Sequence, residues 1–310
     1  MQNRFFTIRS HTVLILSVAL GSSIAVPCVE AQQTGLQPTG QLIQPIHRVA
    51  HEEPAEQTAQ LASRVSPPQS QPPFDLSQRP GEHPLMPALR VAKEGLAKID
   101  ANIQDYSAML YKQERINGVL HDQEVAYVKV RHQPFGVYMY FLSPHKGRQC
   151  LYNSPPDGTT GKLVAMDCGW KSKFGALEID PEGHLAMKGQ KYPIMKLGLR
   201  MLTQELVDVA SNDVQFGECE VRTMARKING REVTLIEVVH PTPRQNFRFH
   251  KAEVFIDNEL HVPIRYAAYL WPEKPGDPPP LEESYTYVNL KVNNGFGALD
   301  FDKDNPEYFK

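Results

Sequence analysis

The run Pro134-Phe-Gly-Val-Tyr-Met-Tyr-Phe-Leu142 constrains this chain most, because it is apolar at every position except Gly136. An antiparallel strand with one solvated face alternates apolar and polar residues. This one does not alternate, so both of its faces need cover. Val137, Met139 and Phe141 point to one side of the strand, and Tyr138, Tyr140 and Leu142 to the other. Strand-like stretches, Tyr106 to Arg115 and Val128 to Arg131, precede it, and Pro144 and Gly147 follow. Neighbouring strands, one of them covered on both faces, imply a curved sheet wrapped around a helix, a ligand or both.

Residues 1–31 have the layout of a secretory signal peptide. Arg4 and Arg9 precede an apolar stretch from Thr12 to Val26, and Val29-Glu30-Ala31 offers a small-residue cleavage site. The apolar stretch falls short of the ~20 residues that span a bilayer. Acylation at Cys28 is disfavoured by Pro27 immediately before it. Export is therefore expected. Residues 32–84, rich in Gln, Pro, Ser and Ala, are expected to form a disordered or extended tether. The tether's His47, His51, Glu52 and Glu53 are read there as solvated polar residues, not as a metal cluster. Removing residues 1–31 takes away two Arg and one Glu and leaves 31 basic and 34 acidic residues, net −3. That overall balance gives no footprint for nucleic acid or an anionic membrane.

From Leu85 onward the composition becomes that of a folded domain, expected over residues 85–310. Leu85, Leu89, Ala92, Leu96 and Ile99 recur at helical spacing and predict a helix to about Ile103, with Gly95 its weak point. Strands are expected at about 105–116, 120–132, 134–143, 148–154 and 161–168. Asn117-Gly118 marks a hairpin between the first two. Tyr192-Pro193 opens a second helix, Ile194 to about Ala210. Further strands are expected at about 215–227, 231–240, 247–257, 261–271 and 282–292, with Asn229-Gly230 as a second hairpin signal. About ten strands and two helices over roughly 225 residues suit one α+β domain with helices filling the concave face of the sheet.

Chemistry is sparse. No Gly-x-Ser-x-Gly elbow, phosphate loop or His-Glu-x-x-His occurs, so no enzymatic activity and no cofactor are expected. His240, His250 and His261 lie on or beside strands at irregular spacing, which favours ordinary polar residues over a metal site. The acidic residues Glu282, Glu283, Asp300, Asp302 and Asp304 lie in a loop and a tail rather than a cleft. Cys150 and Cys168 are equidistant from Thr159, within a turn-like Pro155–Gly161 loop. A hairpin centred there would place them opposite each other, so they are a disulfide candidate; two separate buried thiols are the alternative.

Four short pieces in order resemble the bacterial lipoprotein-carrier superfamily (LolA/LolB/RseB-like). They are Leu96-x-x-Ile99 with Tyr106-Ser-Ala108 and Gln113, Val128–Arg131 with Pro134-Phe135, Ile256-Asp257 with Pro263-Ile-Arg265, and Ser284–Tyr287 through Asn294-Gly295 to Phe301. Arg131-x-x-Pro134-Phe135-x-Val137-Tyr138-Met139, Asp180-Pro181-x-Gly183 and Tyr192-Pro193-Ile194-x-x-Leu197-Gly198 more closely resemble a family of secreted bacterial proteins of unassigned activity. The superfamily resemblance implies an unclosed β-barrel under a helical lid. It also implies a strand arginine that touches the lid, for which Arg131 is the candidate, although His132 and Gln133 separate it from Pro134. The strand aromatics Tyr106, Phe135, Tyr138, Tyr140, Tyr266, Tyr269 and Trp271 are candidates for the wall of a hydrophobic ligand site, with ordinary core packing the alternative. The expected partners are a lipid or lipoprotein, or an envelope protein, and no nucleic acid. A barrel filled by its own side chains would instead suit an envelope sensor or interaction scaffold.

Overall fold

A computed structural model describes residues 72–217 and 219–310; the expected signal peptide and most of the expected tether lie outside them. Helix α1 (Met86–Asn102) leads into strands β1 (Asp105–Ile116), β2 (Val119–Leu120), β3 (Glu124–Arg131), β4 (Gly136–Ser143), β5 (Gln149–Asn153), β6 (Leu163–Met166) and β7 (Leu177–Ile179). After the short α2 (His184–Met187) and α3 (Leu199–Asp213) come β8 (Glu220–Ile228), β9 (Arg231–Val239), β10 (Lys251–Asp257), β11 (Pro263–Tyr269) and β12 (Leu281–Val292). The strands form one antiparallel sheet in the order β7-β6-β5-β4-β3-β1-β12-β11-β10-β9-β8, with β2 paired to β1. Its ends, β7 and β8, do not pair, so the barrel is unclosed. Helices α1 and α3 pack on each other and cover the inner face.

Both Asn-Gly signals form two-residue turns. Asn117 and Gly118 have φ of 51° and 80°, and Asn229 and Gly230 have 48° and 81°. Positive φ at both central positions is the type I′ requirement, and Asn and Gly meet it at least cost. The first hairpin is brief. The expected strand at 120–132 is in fact β2 and β3, because the ladder stops at Leu120 and His121 N–H bonds back to the Glu114 carbonyl.

The second expected helix is also interrupted. A 3-10 turn over Ile194–Lys196 precedes α3, and Gly198 between them has φ 116°. A Cβ at Gly198 would lie 2.9 Å from the Tyr106 hydroxyl, which accepts the Leu199 N–H at 2.9 Å. Close approach of the helix start to β1 therefore sets the break, and periodicity carries no sign of it. Gly95 has a similar reason: its Cβ would lie 2.9 Å from the His261 carbonyl, so α1 lies directly on the turn between β10 and β11. That turn is held by the buried Asp257, which accepts bonds from Arg231 and from the N–H groups of Glu259 and Leu260.

The folded unit begins before Leu85. Phe74 sets its ring edge-on against His261 at 5.0 Å, and Arg90 of α1 pairs with Glu82. The end of the expected tether, residues 72–84, is thus part of the domain.

Strand β4 is covered on both faces, by different means. Its inner side chains Met139 and Phe141 join the core under the helices. Its outer Tyr138 stacks on Tyr308 at 3.7 Å, within a cluster that holds Leu151 and Phe301. The C-terminal segment reaches this place from β12. Asp105 accepts the N–H groups of Asn294, Gly295 and Phe296 at 2.6, 3.1 and 3.1 Å, and Lys129 pairs with Asp300 at 2.7 Å. Gly136 makes room for Phe301, whose ring would lie 2.8 Å from a Cβ at that position.

Candidate functional site: a cavity beneath the helices

Between the helices and the inner face lies a cavity of about 1230 Å³. Met139 and Phe141 of β4, Val254 of β10, and Leu202, Leu206 and Val209 of α3 line it. The apolar stripe of α3 is divided in two. Leu199 and Thr203 are buried, while Leu202, Leu206 and Val209 are partly buried, line the cavity and pack against the cluster of Phe249, Tyr266 and Ala268 on the sheet.

One end of the wall is polar, and Glu282 and Glu283, expected in a loop, are on β12, with Glu283 at this wall. Lys112, Glu114 and Glu283 are buried, at 7, 5 and 3 % exposure, and such charges persist inside a protein only when paired. Lys112 Nζ lies 2.9 Å from Glu124 and 3.5 Å from Glu114, and it also bonds to Gln190. Lys191 Nζ pairs with Glu282 at 2.6 Å and Glu283 at 2.8 Å, and its backbone N–H donates to Glu114 at 3.0 Å. The Tyr285 and Tyr192 hydroxyls donate to Glu114 and Glu283 at 2.6 and 3.0 Å. This network ties residues 190–192 to β1 and β12. Burial opposes the charge on Lys191, but its two carboxylate partners hold its pKa above the ordinary value. Burial and then Glu114 push the Tyr285 hydroxyl far above its ordinary range. Cys150, also on the wall, has its thiol pushed up to about 12 by burial. Each charged group here has a partner, and together they brace the cavity's polar end.

Of the expected ligand residues, Tyr266 lines the cavity, stacked on Tyr285 with ring centroids 6.4 Å apart. Tyr106 does not line it; it is fully buried and pins the start of α3. Phe135 lines a separate hollow of about 440 Å³ beside Val130, His132 and Met195. Tyr138 and Tyr140 belong to the outer cluster beneath the C-terminal segment. Tyr269 donates to Glu253 at 3.2 Å, and the Trp271 indole N–H donates to the His240 carbonyl at 3.1 Å; neither lines the cavity. Strand parity explains Tyr138 and Tyr140: on β4 the set that faces the cavity is Met139 and Phe141.

Arg131 does not serve as a lid contact. Its guanidinium donates to the Pro134 carbonyl and the Asn153 side chain, both at 2.9 Å, and lies 4.5 Å from the Phe301 ring. The arginine that does reach α3 at the cavity is Arg248, paired with Glu205. Cys150 and Cys168 are free thiols. The β5–β6 register sets Cys150 opposite Ala165, three residues short of Cys168, because the connecting loop is not centred on Thr159. The three histidines do not converge. His240 meets Asp213 at 3.2 Å, His250 meets the His240 carbonyl at 3.0 Å, and His261 meets Lys98 at 2.6 Å. Among the described residues no group of three or more His, Cys, Asp or Glu is placed to hold a metal ion.

An unclosed antiparallel sheet, helices over its inner face and an apolar cavity between them define the class, an α+β open barrel with a hydrophobic interior. Residues 103–309 match the family described as "Protein of unknown function (DUF1571)", and the chain belongs to that family. No curated protein matches it. Similar solved structures include a putative outer membrane lipoprotein-sorting protein domain from Vibrio parahaemolyticus, 14 % identical over 69 % of this chain and 96 % of that one, TM-score 0.34. Another is the Pseudomonas aeruginosa MucA/MucB complex, 14 % identical over 68 % of this chain and 60 % of that one, TM-score 0.39. A third is the Mycobacterium tuberculosis lipoprotein LppX, 13 % identical over 67 % and 98 %, TM-score 0.36.

Proposed function

We propose that this chain is a non-enzymatic protein of the bacterial cell envelope. It holds a lipid, the acyl chains of a lipoprotein or another hydrophobic ligand between α3 and the sheet. The observation that carries this reading is the cavity. At about 1230 Å³ it exceeds the roughly 300–1,000 Å³ of small-molecule pockets. A self-filled barrel, as a pure scaffold would have, offers no such space. Each methylene transferred from water to this wall contributes about 0.8 kcal/mol, so a long alkyl chain suffices for tight binding without a strong polar contact. The signal-like start of the sequence supports an envelope location.

Titration with a fluorescent fatty acid tests the reading. Saturable binding, displaced by an unlabelled fatty acid and weakened at least tenfold by Val209→Trp, is expected. Absent saturation, or a Val209→Trp protein that binds as well as the parent, would overturn it.

A further inference from the structure

The rim of the cavity departs from an ordinary surface. Trp170, Phe174, Leu177 and Leu185 line the cavity yet are 69, 69, 55 and 70 % exposed. They come from three short consecutive elements, a 3-10 helix at Gly169–Phe174, β7 and α2. Trp170 and Phe174 meet edge to face at 5.8 Å. Single exposed apolar residues need no explanation, but a cluster at the mouth of an apolar cavity marks an interaction surface.

Charge indicates what the surface meets. Residues 168–196, which build the rim, carry Lys171, Lys173, Lys188, Lys191 and Lys196 against Glu178, Asp180 and Glu182. All except Lys191 are exposed. Nearby, Asp167 is shared by Arg148 and Lys171, Glu178 pairs with Lys303, and Asp180 and Glu182 sit in the turn between β7 and α2. Lys173, Lys188 and Lys196 form no ion pair among the described residues. The near-neutral balance of the whole chain conceals this local excess of lysine. Exposed Trp and Phe flanked by lysines is the composition of a bilayer-interface anchor. The ring enters the headgroup region, the lysine stem lies along apolar surface, and the ammonium meets phosphate.

We infer that this rim docks on an anionic phospholipid bilayer. Trp170, Phe174 and Leu185 enter the acyl-chain boundary and the lysines sit on the phosphates, so the cavity mouth faces hydrocarbon. This goes beyond ligand binding and stands even if the cavity carries no lipid.

The full chain carrying Trp271→Phe tests it, because Trp170 is then the one remaining tryptophan and its emission reports this site alone. Vesicles of phosphatidylcholine with phosphatidylglycerol should shift that emission to the blue, and brominated acyl chains should quench it. Pure phosphatidylcholine vesicles should act at least tenfold more weakly. In the same background, Phe174→Ser with Leu185→Ser should weaken the response tenfold or more. Lys173→Gln and Lys188→Gln should each weaken it about fivefold. Unchanged Trp170 emission, an equal response to neutral and anionic vesicles, or a shift produced only by an added protein would overturn the proposal. Fatty acid delivered from solution reports on the cavity separately, so failure of one reading is distinguishable from failure of the other.

Discussion

The two faces of β4 have nearly the same composition and opposite fates. On the outer face, Tyr138 is stacked beneath Tyr308, and the chain's own C-terminal segment completes the packing. On the inner face, Met139 and Phe141 join the core under the helices and also line the cavity. An apolar strand face thus states that cover is required, not what supplies it. On the outer face the described C-terminal segment supplies that cover; on the inner face the helices supply it and leave a cavity.

Breaking the outer cover should cost most. Phe301 is 2 % exposed and fitted over Gly136, so Phe301→Ala should lower unfolding free energy in urea by about 3–5 kcal/mol. Asp105 directs the segment onto that face through three backbone N–H groups. Asp105→Ala leaves those donors unmatched, and a loss of about 2–3 kcal/mol is expected by the same assay.

The inner face should respond differently. Met139→Ala enlarges an existing space rather than opening a new void, so the transfer cost alone applies, about 2 kcal/mol or less. Its clearer effect should be on ligand affinity, which the outer-face variants leave unchanged. A fatty-acid titration across the three variants would therefore sharpen the contrast.

The smallest effect concerns pH. Burial raises the Cys150 thiol to about 12, from 9.0. A raised folded-state value means that its contribution is fully present below pH 9.0 and is lost as pH rises towards 12. Cys150→Ala should therefore show a shallower alkaline decline in stability than the parent. At pH 8 the folded parent's Cys150 should resist a water-soluble thiol reagent until urea exposes it.

Much of the sheet was legible in the sequence. β1 follows its expected bounds, both Asn-Gly turns formed, and the unbroken apolar run of β4 correctly required two covers. What was not legible depends on contacts between distant residues. Alternation separates Met139 from Tyr138 but does not say which faces the helices, so by itself it cannot choose between the two sets. The break at Gly198 is set by Tyr106, 92 positions earlier, and no local pattern records it. The register of β5 and β6 depends on how the loop after Asn153 is laid out, so symmetry about Thr159 misplaced Cys168. The cavity residues Leu202, Leu206 and Val209 lie within the expected helix, yet a helical stripe reads the same whether or not it also lines a cavity.

The central claim is that the inner face is completed by a hydrophobic ligand and the outer face by the chain itself. Native mass spectrometry of the protein purified after export in a bacterial host, before and after organic extraction, tests it most directly. The account predicts a near-stoichiometric lipid or acyl-peptide mass that extraction removes and added lipid restores. A clean apo mass that takes up no added lipid would contradict it.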